Sequence, residues 1–307
     1  MDSPKFAILA LGLSALAAVA CSADGGNPFG GNEGGGGSGG TSEDGGPDLG
    51  DDGTPPDGTD FLPETPDEKP KTGEVYAHSK DTLYKLDPIS KEVTVIGPFG
   101  CQISWGMLDI AVDKNDRIIG SIQGALLEID KDTAQCWKLA DTSTTMNSLT
   151  FVPAGTLDPV EEVLVGYERD QYIRFDMVTG KTTLVGYLNS ANSGGVSWVS
   201  SGDIVSIVNG GTYLTVHPSD NSSKDSIVEV DPKTGKVLKV IGNTGFASLF
   251  GLGYWGGIAY GFGDDGKLSE IDLTTGKGVE IPLPSMPAGL SFWGAGVTTV
   301  APTEIIY

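Results

Sequence analysis

Four stretches of the chain, Tyr84-Lys85-Leu86, Leu127-Glu128-Ile129, Ile173-Arg174-Phe175 and Val228-Glu229-Val230, alternate apolar and charged residues. That is the period of two of a strand with one covered face. Each runs into an Asp followed by two variable residues and a hydroxyl: Asp87 to Ser90, Asp130 to Thr133, Asp176 to Thr179 and Asp231 to Thr234, with a fifth copy at Asp272 to Thr275. An Asp placed so can accept hydrogen bonds from backbone N–H groups about two residues on, and Gly180, Gly235 and Gly276 supply a positive φ at the next corner. The phrase therefore predicts a hairpin turn, left by a second strand at Val93–Ile96, Thr182–Val185 and Val237–Ile241. On this reading the five aspartates close turns and carry no chemistry.

A second pattern, small-apolar-small-bulky-apolar, lies between these phrases. It occurs at Met107–Ala111, Ser148–Val152, Gly195–Val199, Gly251–Trp255 and Gly289–Trp293. Small residues suit a crowded centre where backbones converge, so these are expected to be innermost strands. Further apolar runs at Ile118–Ile122, Val163–Tyr167, Asp203–Ile207 and Ile258–Phe262 make a unit of four strands. The aspartates are 43, 46, 55 and 41 residues apart. Four antiparallel strands at that period are a propeller blade, and the expected fold is all-β, a single β-propeller of about five four-stranded blades. Both ends of the pattern are incomplete, so the C-terminal inner strand is expected to join Glu74–Ile96 and close the ring. Gly296–Val300 could instead form a strand competing with Val75–His78, which leaves six blades as the alternative.

The N-terminus differs in kind. Lys5 precedes the apolar run Phe6–Ala20, too short to span a membrane and suited to a signal peptide over residues 1–20. Its end, Ala18-Val19-Ala20-Cys21, resembles the lipobox of bacterial lipoproteins and implies lipidation at Cys21; cleavage near Ala20 by an ordinary signal peptidase is the alternative. Residues 22–72 hold 15 Gly, 7 Pro and 12 acidic residues against Lys69 and Lys71. Too little apolar surface is available there to offset chain entropy, so residues 21–72 are expected to be a disordered linker and 73–307 the propeller. The Asp residues of the linker could bind calcium weakly, although they lack EF-hand spacing. No other cofactor is expected. Taken together the layout suggests a bacterial cell-envelope protein, held at the outer membrane by its lipid alone.

Charge limits the partners. The chain carries a formal −22, of which −12 falls in residues 73–307, so nucleic acid and docking on an anionic lipid surface are not expected. Cys101 and Cys136 form an even pair in an exported protein, which suggests a disulfide, yet the blade scheme puts them near opposite faces, and the pairing stays open. With only His78 and His217, a multi-histidine metal centre is excluded and a His-dependent triad has little to draw on. His78 falls in an apolar strand and is expected to be structural.

One irregularity stands out. The 55-residue spacing reflects an insertion at Asn209–Ser226, predicted to be a loop on the face of the segments entering the inner strands. Trp105, Asn147, Tyr213, His217, Asp220 and Asn221 are the candidate ligand-binding residues, since aromatics with amides and hydroxyls suit a protein or glycan.

The D-x-x-T-G-K turns at Asp176–Lys181, Asp231–Lys236 and Asp272–Lys277 resemble the repeats of quinoprotein-like, NHL-type and YVTN-type propellers. A quinoprotein blade would place Trp shortly after the Lys; here Thr183, Leu238 and Val279 stand in that neighbourhood, which argues against a quinone. Gluconolactonase-like propellers hold a metal with Glu, Asn and Asp, and Asp109 and Asn147 are the comparable residues. The favoured function is a non-catalytic binding or scaffolding module for an envelope protein or glycan. A metal-dependent hydrolase or lactonase is the alternative.

Overall fold

The computed structural model describes residues 74–305; the expected signal peptide, Cys21 and the expected linker lie outside them. Twenty strands form five four-stranded antiparallel sheets. The first strands are β1 (Val75–His78), β2 (Thr82–Leu86) and β3 (Val93–Pro98). The second blade is β4 (Asp109–Val112), β5 (Ile118–Ile122), β6 (Ala125–Ile129) and β7 (Cys136–Asp141), and the third is β8 (Leu149–Val152), β9 (Val163–Glu168), β10 (Gln171–Phe175) and β11 (Thr182–Tyr187). The fourth is β12 (Trp198–Ile207), β13 (Gly211–Pro218), β14 (Ser226–Val230) and β15 (Val237–Asn243); the fifth is β16 (Leu249–Trp255), β17 (Ile258–Gly263), β18 (Leu268–Ile271) and β19 (Gly278–Ile281). The last strand, β20 (Gly294–Val297), pairs with β1 in register Val75↔Val297, so strands from both ends make one blade. The protein is a five-bladed β-propeller.

Each Asp phrase folds as its chemistry dictates. Asp87 Oδ1 accepts from the Ile89 and Ser90 N–H groups at 2.8 and 3.2 Å, and Asp176 Oδ1 accepts from Val178 and Thr179 at 2.9 and 3.0 Å. The residue after the hydroxyl has positive φ in all five turns; it is Gly180, Gly235 or Gly276 in three of them and Lys91 or Ala134 in the others. In four blades the outermost strand also carries an extra residue, Ile96, Leu139, Val185 or Ile241, a bulge that increases local twist. A small residue follows (Gly97, Ala140, Gly186 or Gly242), and the next blade's Asp turn packs there, with the Thr234 and Thr275 carbonyls against Gly186 and Gly242. The fifth junction differs. Strand β19 has regular register, and a cleft of about 310 Å³ lined by Ser90–Val93 and Pro282–Met286 separates it from the first turn. Lys91 crosses that seam to Glu270 Oε1 at 2.6 Å, its ammonium over the Tyr260 ring.

Two expectations are corrected. Half of the segment read as a long loop at 209–226 is strand, and Gly195–Val199 and Asp203–Ile207 do not form separate strands, because Trp198–Ile207 is one inner strand paired with β13. Asn209 at φ 60° supplies the turn, and Thr212, Leu214 and Val216 alternate inward as a buried strand requires. The extra residues are thus absorbed by long strands and an irregularity between Ser200 and Ile204. The last inner strand is Gly294–Val297, not Gly289–Trp293. The axis selects it. A Cβ on Gly294 would overlap both Asp109 Oδ1 and His78 Nε2, and one on Gly296 would stand 2.9 Å from the Ile110 carbonyl.

Candidate functional site

The innermost strand of each blade is a sheet edge, and its free N–H groups face the channel. Two buried carboxyl groups meet them. Asp109 Oδ1 accepts from the Ile110 N–H at 2.9 Å, while Asp203 accepts from Ile204 at 2.6 Å and Leu252 at 2.8 Å. Asp109 and Asp203 are close enough for each carboxyl to act on the other's titration, and Asp109 Oδ2 is left without a hydrogen-bond partner. Burial raises both above the usual carboxylate range, and the Asp203 charge raises Asp109 further. His78 lies beside them with Nε2 3.8 Å from Asp109 Oδ1. Its Nδ1 meets the Ser79 carbonyl at 2.8 Å, so Nδ1 carries the hydrogen, and burial pushes the ring down to about 4 against the pull of that carbonyl. All three side chains are inaccessible to solvent.

The channel is stopped at one end. Beyond β20 the chain crosses the face where the inner strands finish: Val208 donates to the Thr299 carbonyl at 2.8 Å, Gly256 donates to that of Pro302 at 2.7 Å, and Thr299 Oγ1 donates to Glu162. Thr298 and Thr299 are buried. This strap spans the third, fourth and fifth blades, and Thr298 bridges to Val112 of the second.

The opposite mouth is open. There a cavity of about 230 Å³ is lined by Leu108, Asn147, Ser201, Gly202, Phe250 and Trp293, so every blade contributes to its wall. Asp109, Ser148, Asp203, Gly251 and Gly294 follow in sequence, which sets the buried carboxyl pair directly beneath. Trp105 is 70% exposed on the segment entering β4; the next residue, Gly106, lies against the Trp293 ring, which brings Trp105 to the rim.

The sequence-derived candidates divide between the two faces. Trp105 and Asn147 are at the mouth. His217 is the last residue but one of β13, and Asp220 and Asn221 follow in the connection to β14, on the mouth side but farther out. Tyr213 sits at the other end of β13, beside the 208–210 turn, its ring stacked on Tyr254 at 6.3 Å. It faces the strap side. Asp109 and Asn147 are adjacent in depth but do not share a cavity, because Asp109 is sealed beneath it. Among the described residues no three His, Cys, Asp or Glu side chains are grouped to hold a metal ion.

Asp203, Phe250 and Trp293 were not among the sequence-derived candidates, nor was a property of the mouth as a whole. Five segments enter the inner strands: 99–108, 142–148, 188–197, 244–248 and 282–293. None contains Asp, Glu, Lys or Arg, in a chain that is 20% charged. They are rich instead in Ser, Thr and Asn. The pattern was available in the sequence but meant nothing until the strand ends were known.

Cys101, in the first of these segments, is bonded to Cys136 at the start of β7, with Cα atoms 5.4 Å apart. Strand-to-strand rotations of about 20–25° accumulate across a blade, so its outermost strand lies steeply inclined and its end meets the next blade's Asp turn. Gly100 donates to the Ala134 carbonyl at 2.9 Å there, which sets the two cysteines together.

No family model matches the chain, and no curated protein matches it. Similar solved structures include a protein of unknown function from Bacteroides caccae, with 13% identity over 74% of this chain and 98% of that one (TM-score 0.42). A chain of a nidogen/laminin complex gives 11% identity over 76% of this chain and 100% of that one (TM-score 0.42). The computationally designed Ika8 protein gives 13% over 68% and 58%, respectively (TM-score 0.32). At these scores they carry no argument about function, and the strand pairing itself defines the fold.

Proposed function

We propose that the protein is a non-catalytic binding module of the bacterial cell envelope, lipidated at Cys21, which holds a protein or glycan at the open mouth of its propeller. The observation that carries this reading is the mouth itself: a pit walled by all five blades, in which Leu108, Phe250 and Trp293 stand beside the Asn147 amide and the Ser201 hydroxyl. Rigid scaffolds with ligand-facing loops are where binding sites concentrate. Glu74, the first described residue, adjoins the strap face, since Val75 pairs with Val297 at the end of β20. A tether arriving there leaves the mouth on the other face. Among the described residues no helix is long and apolar enough to cross a membrane, and the anchor in this reading is the lipid.

The test uses the full chain as bait against solubilised envelope fractions, comparing wild type with Trp105→Ala and Asn147→Ala at the mouth and Tyr213→Ala on the other face. Loss of capture in the first two with retention in the third is the expected result. Equal capture by all four proteins would overturn the assignment of the mouth. Cys21→Ser should in parallel move the chain from the membrane to the soluble fraction.

A further inference from the structure

We infer that the mouth selects an uncharged saccharide, with one sugar ring seated in the pit and its neighbours lying across the rim; this rests on the binding-module reading and narrows its ligand. Four observations converge on it. First, the five segments surrounding the pit contain no ionisable side chain at all, whereas all five Asp turns on the opposite face carry charge. A ligand recognised through ions would find no counter-charge within the ring of entry segments, and an anionic one would also meet the field of a chain with net charge −22.

Second, the rim offers what sugar hydroxyls need. Segment 142–148 reads Thr-Ser-Thr-Thr-Met-Asn-Ser, and 188–197 exposes Asn192 and Ser197, while Asn189, Ser190 and Ser193 are engaged in bonds within the fold. A hydroxyl both donates and accepts, and so does a primary amide taken as a whole, which lets such groups pair with a polyol without leaving a buried partner unmatched. Asn147 is the exposed side-chain amide on the pit wall.

Third, the apolar surfaces are the right kind. Trp293 and Phe250 line the pit, and Trp105, exposed, adjoins Gly106, which packs against the Trp293 ring. Aromatic faces stack on the C–H faces of pyranose rings, giving apolar contact to a ligand otherwise made of hydroxyls.

Fourth, the pit is blind. The buried Asp109–Asp203 pair floors it and the strap stops the channel below, so a ligand enters and leaves by the same opening. A chain end or a single projecting residue fits such a geometry; a threaded strand does not.

The experiment screens the full chain against an array of neutral glucose-, galactose-, mannose- and N-acetylglucosamine-based oligosaccharides, with sialylated and sulfated counterparts alongside, and measures the affinity of the hits by calorimetry. Neutral oligosaccharides should bind with affinity constant within about twofold between 0.05 and 1 M NaCl, since an uncharged ligand forms no ion pair to be screened, even with Lys80 beside Gly106 at the rim. Trp105→Ala and Asn147→Ala should each weaken binding tenfold or more at unchanged melting temperature, and Tyr213→Ala should not. A blank array, binding confined to the charged glycans, or equal affinity in the mouth variants would each overturn the inference. If the array is blank while the mouth variants still lose a protein in the capture experiment, the saccharide assignment falls and the binding-module reading stands.

Discussion

Gly180 shows how a single turn residue serves two masters. Its φ of 67° asks for glycine on conformational grounds, and its Cα lies so close to the Asp141 carbonyl of the neighbouring blade that a Cβ would overlap it. Gly124 separates the two demands: its φ is 91°, but no atom lies within 4 Å of where a Cβ would stand. Gly124→Ala should therefore cost only the left-handed backbone penalty, about 1–2 kcal/mol. Gly180→Ala should lose a further 1–3 kcal/mol or so, because blade contact must also give way. Urea denaturation of the two variants measures the difference. A comparable prediction concerns the buried carboxyl pair. Asp109 has a raised proton affinity when folded, so its favourable contribution is complete below its unfolded value near 4 and is lost as pH climbs through its raised folded value. Asp109→Asn should gain stability relative to wild type as pH rises from 4 to 9, and melting temperatures across that range would show it. His78 acts oppositely: held down to about 4, it contributes above pH 6.5 and loses that contribution as pH falls through the folded value. The acid limb of the stability profile should persist in the Asn variant. What was legible at this scale was local chemistry. The Asp phrase announces its own hydrogen bonds, all within four residues, whereas the Asp109–Asp203 contact joins residues 94 apart with no local signature.

Among elements, the bulged outermost strands and the Asp turns that dock on them explain why four blade junctions are alike and the fifth is not. Position 242 is Gly because the Thr275 carbonyl of the next blade occupies the space, and β19, with no bulge, leaves a cleft bridged by Lys91. The disulfide belongs to this scale, since it ties the segment carrying Trp105 to the outer strand of the second blade. The bond closes a sequence separation of 35 residues, and removing it through Cys101→Ser and Cys136→Ser together should cost about 2–4 kcal/mol. Calorimetric melting with thiol titration of the wild type as a control checks this. Five blades of four strands could be read from periodicity because a blade is nearly self-contained. The bounds of β12, β13 and β20 could not, because pairing partners and axial crowding decide them: Ser206 and Thr212 share a hydroxyl contact at 2.7 Å across a turn that looked like the start of an insertion.

For the molecule as a whole, the two faces divide the labour. One bears the Asp turns, the strap and Glu74, the first described residue; the other has an uncharged centre ringed by charged outer connections. The closing blade has a further consequence, in time rather than space. Because β1 pairs with β20, the first strand made must wait for the last one, across more than 200 intervening residues. Three strands of that blade can assemble early, but their inward edge stays bare and His78 stays uncovered until Gly294–Val297 arrives. Loop-closure entropy makes such a long-range step slow relative to hairpin formation. Blades two to five can form as they emerge during synthesis or export, whereas the ring is completed only after its final strand is released. The interval before that moment is when an unpaired edge is open to a second chain, and when a chaperone would have a single, defined place to bind.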